Sequence, residues 1–497
     1  MARFFLSLLF SLAVYAATAV PYYEYTEDAR LAYDLIFSLE FDEAQRVMTR
    51  IKVEEPENLV YHTLRNYIDC LALFIGEQSI AYEKLKSNKL QRLELLKEGD
   101  RSSPYYLYAQ ADIYIQWAIT RVKFEDYFQA VLEVKRAFTL LKRNQERFPD
   151  FMPNQKNLGL MHALIGTVPD SYRWTVQILG MEGTIEQGKR EIEEVLAHAR
   201  HTDFIFEKET EVMYAYLLLH LANEKEKAWE VISQARIQPK DNPLACFVMA
   251  NIAMQTKRNV EAISILENRP RGKQYLPVPY LDFMLGVAKL NQLDAAADQH
   301  LQSFLEQTRG RHYIKEAYQK LAWNALIHHG EDRYRKYMEA CKVHGMTSVD
   351  EDQAALQEAR SGIVPNRELL IARVLSDGGY HQRALEHMQG FGAKDMTQKR
   401  HRIEYHYRLG RINHALEHTE SALQAYQRTI DEGEHEAYYF ACNAAVLSGN
   451  ILEQTTRDEE AATSYQRALS MRPDEYKLGL HQKAKAGLNR LASRSLR

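Results

Sequence analysis

EEAATSYQRALSMRPDE, residues 459–475, carries the spacing on which the fold depends. Ala461 is small enough to let two helices approach. Tyr465 and Leu469 lie one and two turns further along the same face, and Pro473 ends the helix. Counting back twelve residues from Ala461 reaches Gly449, so the stretch reads Gly449, Ala461, Tyr465, Ala468, Pro473 at intervals of 12, 4, 3 and 5. The same intervals recur at the other end of the chain in Ala32, Ala44, Met48, Ile51 and Pro56. Shorter copies with the 12 and 4 spacing occur at Tyr216, Ala228, Ile232; at Ala250, Ala262, Leu266; at Ala372, Ala384, Met388; and at Gly410, Ala422, Tyr426.

Ala228 and Ala262 are 34 residues apart. A 34-residue helix-turn-helix unit with a small residue in its first helix, a small then a large residue in its second, and a closing proline resembles the tetratricopeptide repeat. The resemblance implies an all-α chain built as a right-handed α-α superhelix, in which each helix pair covers the apolar face its neighbour leaves open. The aromatic residues usual in the first helix are mostly missing here. Segments 58–98, 105–147, 311–344 and 350–360 read as helical without keeping the register, as degenerate copies.

Composition agrees. There are 22 Gly and 13 Pro in 497 residues, with 63 Lys+Arg against 67 Asp+Glu for a formal charge of -4. Helix-forming residues dominate, and no global positive field exists to gather nucleic acid. The opening MARFFLSLLFSLAVYAATAV sets Arg3 before an apolar run to about Ala17 and small residues after it, which predicts a signal peptide over 1–19. The run is shorter than the ~20 residues a membrane-spanning helix needs, so no integral span is expected once it is removed. Export, most naturally to a periplasm, is the expected location. Cys70, Cys246, Cys341 and Cys442 lie 176, 95 and 101 residues apart, each inside an apolar helical pattern, and read as buried small hydrophobes.

The register breaks in IGTVPDSYRWTVQILGMEGTIEQG, residues 165–188, where Gly166, Gly180, Gly183, Gly188 and Pro169 interrupt the helices. A helix stopping at Gly166, a short one over about 172–179 and a third from Thr184 are expected, with Thr184 and Gln187 forming a capping box. This predicts a helical hairpin inserted at about 153–188. Here Leu158-Gly159-Leu160, Val168-Pro169, Gly180-Met181-Glu182-Gly183 and Gly188 resemble the eukaryotic inclusion-body-clearance tetratricopeptide proteins over some 45 residues. Met181 stands where that group has an aromatic residue, and Thr184-Ile185 where it has a charged pair. The resemblance implies helical architecture and a non-enzymatic role; those relatives are intracellular, which the leader opposes.

The Pro- and Gly-containing stretch NRPRGKQYLPVPY, 268–280, divides an N-terminal lobe, 20–270, from a C-terminal lobe, 271–497. The second ends in a helix whose stripe of Leu480, Ala484, Leu488 and Leu491 caps the array, with seven Lys/Arg against two acids from Arg472 onward.

No phosphate loop, nucleophile elbow or dinucleotide fingerprint is present, and no cofactor is expected. His414-Ala415-Leu416-Glu417-His418 matches the inverted zinc-protease pattern, but the count from Gly410 places it across the turn between two helices, with no third ligand, so no metal is expected. In a tetratricopeptide array the first helices line a concave surface. The same count places Asn366, Arg373, Tyr407, Arg411, Asn443 and Asn450 there, donors suited to a protein or peptide partner and to an acidic segment. The matching positions in mid-chain, Leu217, Leu244, Phe247 and Met254, are apolar and expected to pack on an insert or a partner helix. The expected function is a non-catalytic binding scaffold, of open oligomeric state. A glycan-handling or hydrolytic protein on an α/α scaffold is the alternative, suggested by the 30 tyrosines.

Overall fold

A computed structural model describes residues 20–168 and 170–495. Within them the chain is helical, with a single isolated bridge between Tyr22 and Asn58 and no strand. The chain is all-α, as its register requires. No helix among the described residues is long and apolar enough to cross a membrane. The expected leader over 1–19 lies outside the described residues.

The chain divides into two compact units. The first comprises residues up to Ile252 together with Asn268–Val278; the second comprises Ala253–Glu267 and everything from Pro279 on. The chain therefore crosses between units three times around the Pro-rich stretch.

In the first unit α1 (Glu27–Phe37) pairs with α2 (Phe41–Glu54), and α3 (Val60–Gly76), α4 (Ser79–Leu85) and α5 (Asn88–Leu96) follow. Next come α6 (Tyr105–Lys123) with α7 (Tyr127–Arg147), then α8 (Met152–Gly166), α9 (Asp170–Ile178) and α10 (Ile185–Ala199). α11 (Glu207–Tyr216) continues through a π turn, Leu217–Leu221, and pairs with α12 (Lys225–Gln234); α13 (Pro243–Gln255) begins here and ends in the second unit.

The second unit holds α14 (Asn259–Glu267), α15 (Tyr280–Asn291) with α16 (Ala297–Gln307), α17 (Ile314–His328) with α18 (Glu331–Val343), and α19 (Asp350–Ser361). It continues with α20 (Arg367–Asp377) and α21 (His381–Gln389), α22 (Lys399–Ala415) and α23 (Thr419–Gly433), α24 (Tyr439–Gln454) and α25 (Asp458–Ser470), and closes with α26 (Lys477–Ser495).

Every small residue of the register is buried where two helices of a pair cross. Ala32, Ala44, Ala228, Ala250, Ala262, Ala372, Ala384, Ala422 and Ala461 have no exposed surface. Two segments expected to have lost the register keep it. Ala118, Ala130, Val134 and Ala137 repeat the 12, 4, 3 spacing in α6 and α7, and Ala322, Tyr334, Met338 and Cys341 repeat it in α17 and α18.

The turn between paired helices is also shared. A left-handed residue stands five positions before the small residue of the second helix at Leu39, Glu125, Asn223, Lys257, Gly379, Glu417 and Thr456, with φ between 58° and 87°. In six of these turns the following N–H closes on the carbonyl five residues back, as in Glu40 to Leu35 (2.9 Å) and Arg457 to Leu452 (2.8 Å). This closure satisfies carbonyls that a helix end otherwise leaves open.

The interruption at 165–188 is a helix pair with an enlarged turn, not the inserted hairpin that was expected. α8 and α10 pack along their length, and α9 occupies their connection. Gly188 fills the small-residue position of α10, followed by buried Ile192 and Val195 at the usual intervals. A Cβ on Gly188 would meet the Gly159 carbonyl oxygen and the Ala163 backbone nitrogen, both closer than 3.0 Å. Gly159 and Gly188 are there because two helix backbones touch. Thr184 caps α10 by accepting from the Gln187 N–H at 3.0 Å. The Gln187 side chain instead donates to Glu191 and meets His162, so the reciprocal half of the capping box is absent.

The interior of the first unit is filled. α1 meets α11 through Tyr33 and Glu209 (2.8 Å) and through Asp34 and Lys208 (3.0 Å). Tyr25 and Tyr33 pack edge to face on Phe206, Tyr67 edge to face on Tyr33, and Tyr108 lies tilted against Phe206. Much of the tyrosine content noted in the sequence is core. All four cysteines are buried and unbridged. In the second unit Leu480, Ala484 and Leu491 of α26 are buried beside α24 and α25, as the apolar stripe requires.

Candidate functional site

The second unit holds a cavity of about 270 Å³. α17 presents Glu316, Gln319 and Lys320 to it and α22 presents Arg400, His401, Glu404 and Arg408, each set at the three- and four-residue spacing of one helix face. Glu351 and Glu358 come from α19, Arg373 from α20, Tyr439 from α24, and Glu475 with Tyr476 from the turn before α26.

Its charged groups are held in three ways. Glu358 accepts from Gln319 (2.7 Å), from the Trp323 indole N–H (2.8 Å) and from the Tyr334 hydroxyl (3.3 Å), all neutral donors. Glu404 is gripped by Arg408 at 2.7 and 3.1 Å. Burial alone would push the Glu404 carboxyl up, but Arg408, Arg373 and Arg400 outweigh it and hold the group ionised. Arg373 and Arg400 are held by rings. The Arg373 guanidinium lies 4.3 Å from the Trp323 ring centroid, with Lys320 over the same ring at 4.0 Å, and Arg400 lies 4.9 Å from Tyr438. Arg373 reaches only Asp377, at 3.7 Å, and Arg400 has no ion pair among the described residues.

Glu475 behaves oppositely to Glu404. Burial raises its pKa, and Glu358 and Asp474 add to the rise while Arg400 and Arg373 oppose it. Burial lowers His401 despite the nearby Glu404, favouring the neutral ring.

The six expected site residues do not form one site. Arg373 lines the cavity. Asn366 caps α20, its amide oxygen accepting from the Glu368 and Leu369 N–H groups at 3.0 and 3.1 Å. Tyr407 is only 1% exposed and belongs to the core, because Tyr439 and Phe440 of the next helix pair cover its ring at 5.8 and 5.2 Å. Its hydroxyl accepts from Asn443 at 2.7 Å and Arg411 at 3.2 Å, so three of the expected binders are joined to one another. Asn450 meets the Tyr465 hydroxyl at 2.8 Å and lines a separate cavity with Glu453 and Arg490.

Arg400, Arg408, Glu404, Glu358 and Glu475 were missed. The signal was present: Arg400, Glu404 and Arg408 repeat every four residues in a helix that buries His401, Ile403 and Tyr407 between them.

The protease-like string does not form a metal site. His414 ends α22, Glu417 is the left-handed turn residue and His418 caps α23, so the two histidines do not share a helix turn. His414 meets the Tyr426 hydroxyl at 3.3 Å and His418 meets Asn413 at 3.2 Å. Among the described residues no group of three His, Cys, Asp or Glu side chains is placed to hold a metal ion. Of the mid-chain apolar set, Leu217 is core, Phe247 packs against it, and Leu244 lines a cleft of the first unit.

No protein-family model matches the chain, and no curated protein matches it. Among solved structures it is similar to the P58(IPK) TPR domain, at 13% identity and TM-score 0.21 over 82% of this chain and 96% of that one. It is also similar to a chain of the APC/C hetero-tetramer Cut9-Hcn1, at 12% identity and TM-score 0.25 over 93% of this chain and 97% of that one. Superpositions this loose decide nothing by themselves. The repeats are identified by the chain's own register, buried crossings and shared turn.

Proposed function

We propose that the chain is an exported, periplasmic scaffold that holds one carboxylate-bearing segment of a protein partner in the cavity of the second unit and does no chemistry of its own. The observation that carries this reading is the pair Arg373 and Arg400. A guanidinium fixed on an aromatic ring keeps its N–H edge free for two parallel bonds to a carboxylate, and little rotamer freedom remains to be lost on binding. Arg373 has only the loose pair with Asp377, at 3.7 Å, and Arg400 has no ion pair among the described residues. Glu351, Glu358 and Glu475 in the same cavity disfavour a run of acids and favour a single carboxylate flanked by a cationic or neutral group. The balanced charge of the chain supports a protein partner over nucleic acid.

The test is the double variant Arg373→Ala, Arg400→Ala. Partners crosslinked to the wild-type chain in its native cell should no longer be retained, while the melting temperature changes by no more than about 2 °C. Undiminished retention overturns the proposal.

One observation favours a second reading. Glu404 held ionised and Glu475 with a raised pKa face one cavity together with Tyr439 and Tyr476, and carboxyls displaced in opposite directions are what glycoside hydrolysis requires. Turnover of a chromogenic glycoside that disappears in Glu475→Gln would establish hydrolysis; the scaffold reading expects none from either protein.

A further inference from the structure

The second unit has a further cavity, of about 430 Å³, that shares no lining residue with the one holding Arg373. Three helices meet around it. α22 contributes His414 and α24 contributes Asn450, Glu453 and Gln454. α26 contributes Lys483, Ala486, Arg490 and Arg494, at the three- and four-residue spacing of one helix face.

The cations of this lining outnumber its acids. Glu453 is buried and accepts from Arg490 Nε and Nη2 at 2.8 and 2.6 Å, and it holds Arg494 more loosely at 3.5 Å. That grip orients the Arg490 guanidinium and leaves its Nη1 without a hydrogen bond among the described residues. The Lys483 ammonium likewise has no ion pair among them, and Asp458, outside the lining, reaches Arg494 only at 3.6 Å. Three cations against one carboxylate leave two positive charges facing the cavity. The remaining polar groups are neutral: Asn450, Gln454, and His414, whose ring burial and Arg411 hold in the uncharged form. Amide side chains and a neutral imidazole both donate and accept hydrogen bonds, as a hydroxyl does.

We propose that this cavity binds a phosphate monoester of a polyhydroxylated, sugar-sized carbon skeleton, with the phosphate on Lys483, Arg490 and Arg494 and the hydroxyls on Asn450, Gln454 and His414. The charge supports the phosphate, since a monoester carries about -1.5 to -2 near pH 7 and so matches the excess. A guanidinium held along one edge by Glu453 offers its other edge to a second oxyanion with little freedom left to lose. The volume supports the skeleton, because a cavity of about 150 Å³ accepts a six-carbon ring and this one is more than twice as large. Ala486 is the single apolar residue of the lining among the described residues, which disfavours a hydrocarbon. The site does not depend on the function proposed for the cavity of Arg373 and Arg400.

Glucose 6-phosphate is the probe, titrated calorimetrically into the full chain in a phosphate-free buffer of low ionic strength, with glucose and inorganic phosphate as its two halves. Glucose 6-phosphate should bind, glucose should give no heat, and inorganic phosphate should bind about tenfold more weakly because it forgoes the hydroxyl contacts. Lys483→Gln should weaken glucose 6-phosphate by about tenfold or more without lowering the melting temperature, since Lys483 holds no other side chain. Gln454→Ala should weaken glucose 6-phosphate and leave inorganic phosphate unchanged. The double variant Arg373→Ala, Arg400→Ala should bind glucose 6-phosphate as the wild type does, which separates this site from the other. Absence of glucose 6-phosphate binding, undiminished binding by Lys483→Gln, or inorganic phosphate binding as tightly as the ester overturns the proposal.

Discussion

The ring of Tyr465 occupies the space that a side chain on Gly449 would need: a Cβ built on Gly449 would stand 2.5 Å from Tyr465 Cε1. Gly487 of α26 presses on the same ring from a different helix. Tyr465 is fully buried, and its hydroxyl donates to Glu453 at 2.8 Å, which Arg490 grips at 2.6 and 2.8 Å. The last helix pair and its cap are thus locked through one side chain. Gly449→Ala should lower the unfolding free energy by about 1–3 kcal/mol through overpacking, despite alanine's better helix propensity. Gly479→Ala, where nothing lies within 4 Å of the added methyl, should be neutral or stabilising by a few tenths of a kcal/mol. Urea denaturation of both variants checks the contrast; equal effects would refute it.

Asp352 acts as a cap for a helix other than its own. Its carboxylate accepts from the Tyr313 and Glu316 N–H groups at 2.7 and 2.9 Å, at the start of α17. Burial pushes its pKa up to about 6, and these N–H groups only partly offset the rise. The folded state therefore binds this proton more tightly than the unfolded chain does. Its contribution is fully present below about pH 4 and is lost as pH rises through about 6, a difference of about 3 kcal/mol for two pKa units. Asp352→Asn removes the titration, so the stability of the wild type relative to the variant should fall by roughly this amount between pH 4 and pH 7. A constant difference across that range would show that Asp352 does not titrate there.

Lys156 has no exposed surface and reaches Glu209 at 2.7 Å, with the buried Asp112 close enough to feel its charge. Burial raises the Asp112 pKa, and Lys156 opposes that rise. Lys156→Met would leave two acids facing each other in the tyrosine core and should cost about 3–5 kcal/mol. Lys156→Met with Glu209→Leu removes a partner along with the lysine and should recover at least half of that loss. Chemical denaturation of both variants measures the difference, and a double variant no more stable than the single one would contradict it.

The fold was legible because helix crossings force small residues onto a fixed spacing. Ala44, Ala228, Ala262 and Ala461 announce it in the bare sequence. The α6–α7 pair escaped because Ala109, Ala111 and Ala118 offer competing starting points in one helix. The α17–α18 pair escaped because Tyr334 stands where the small residue is expected. The shared turn could not be read at all, since Leu39, Glu125, Lys257 and Thr456 are not residues that advertise a left-handed backbone. At the cavity, counting placed Arg373 on the lining face because that position is set by its own helix, α20. It misplaced Tyr407 because the rings of the next pair, Tyr439 and Phe440, decide whether that face is open. Glu475 lay beyond any helical count, in the turn before α26.

Gly188 and Gly180 separate the two reasons a chain keeps glycine in its interruption. At Gly188 the obstacle is another backbone, the Gly159 carbonyl and the Ala163 nitrogen, which cannot rotate away as a side chain can. At Gly180 there is open space, and only φ of +69° disfavours a side chain. Gly188→Ala should force α8 and α10 apart and destabilise the first unit by about 3 kcal/mol or more, at the upper end of overpacking effects. Gly180→Ala should cost only the 1–2 kcal/mol of a left-handed residue with a Cβ. Urea unfolding followed by circular dichroism gives both numbers, and hydrogen exchange in α8 and α10 should rise in Gly188→Ala alone. If Gly180→Ala proved the more damaging of the two, the glycines would be serving the turn of α9 and not the contact between α8 and α10.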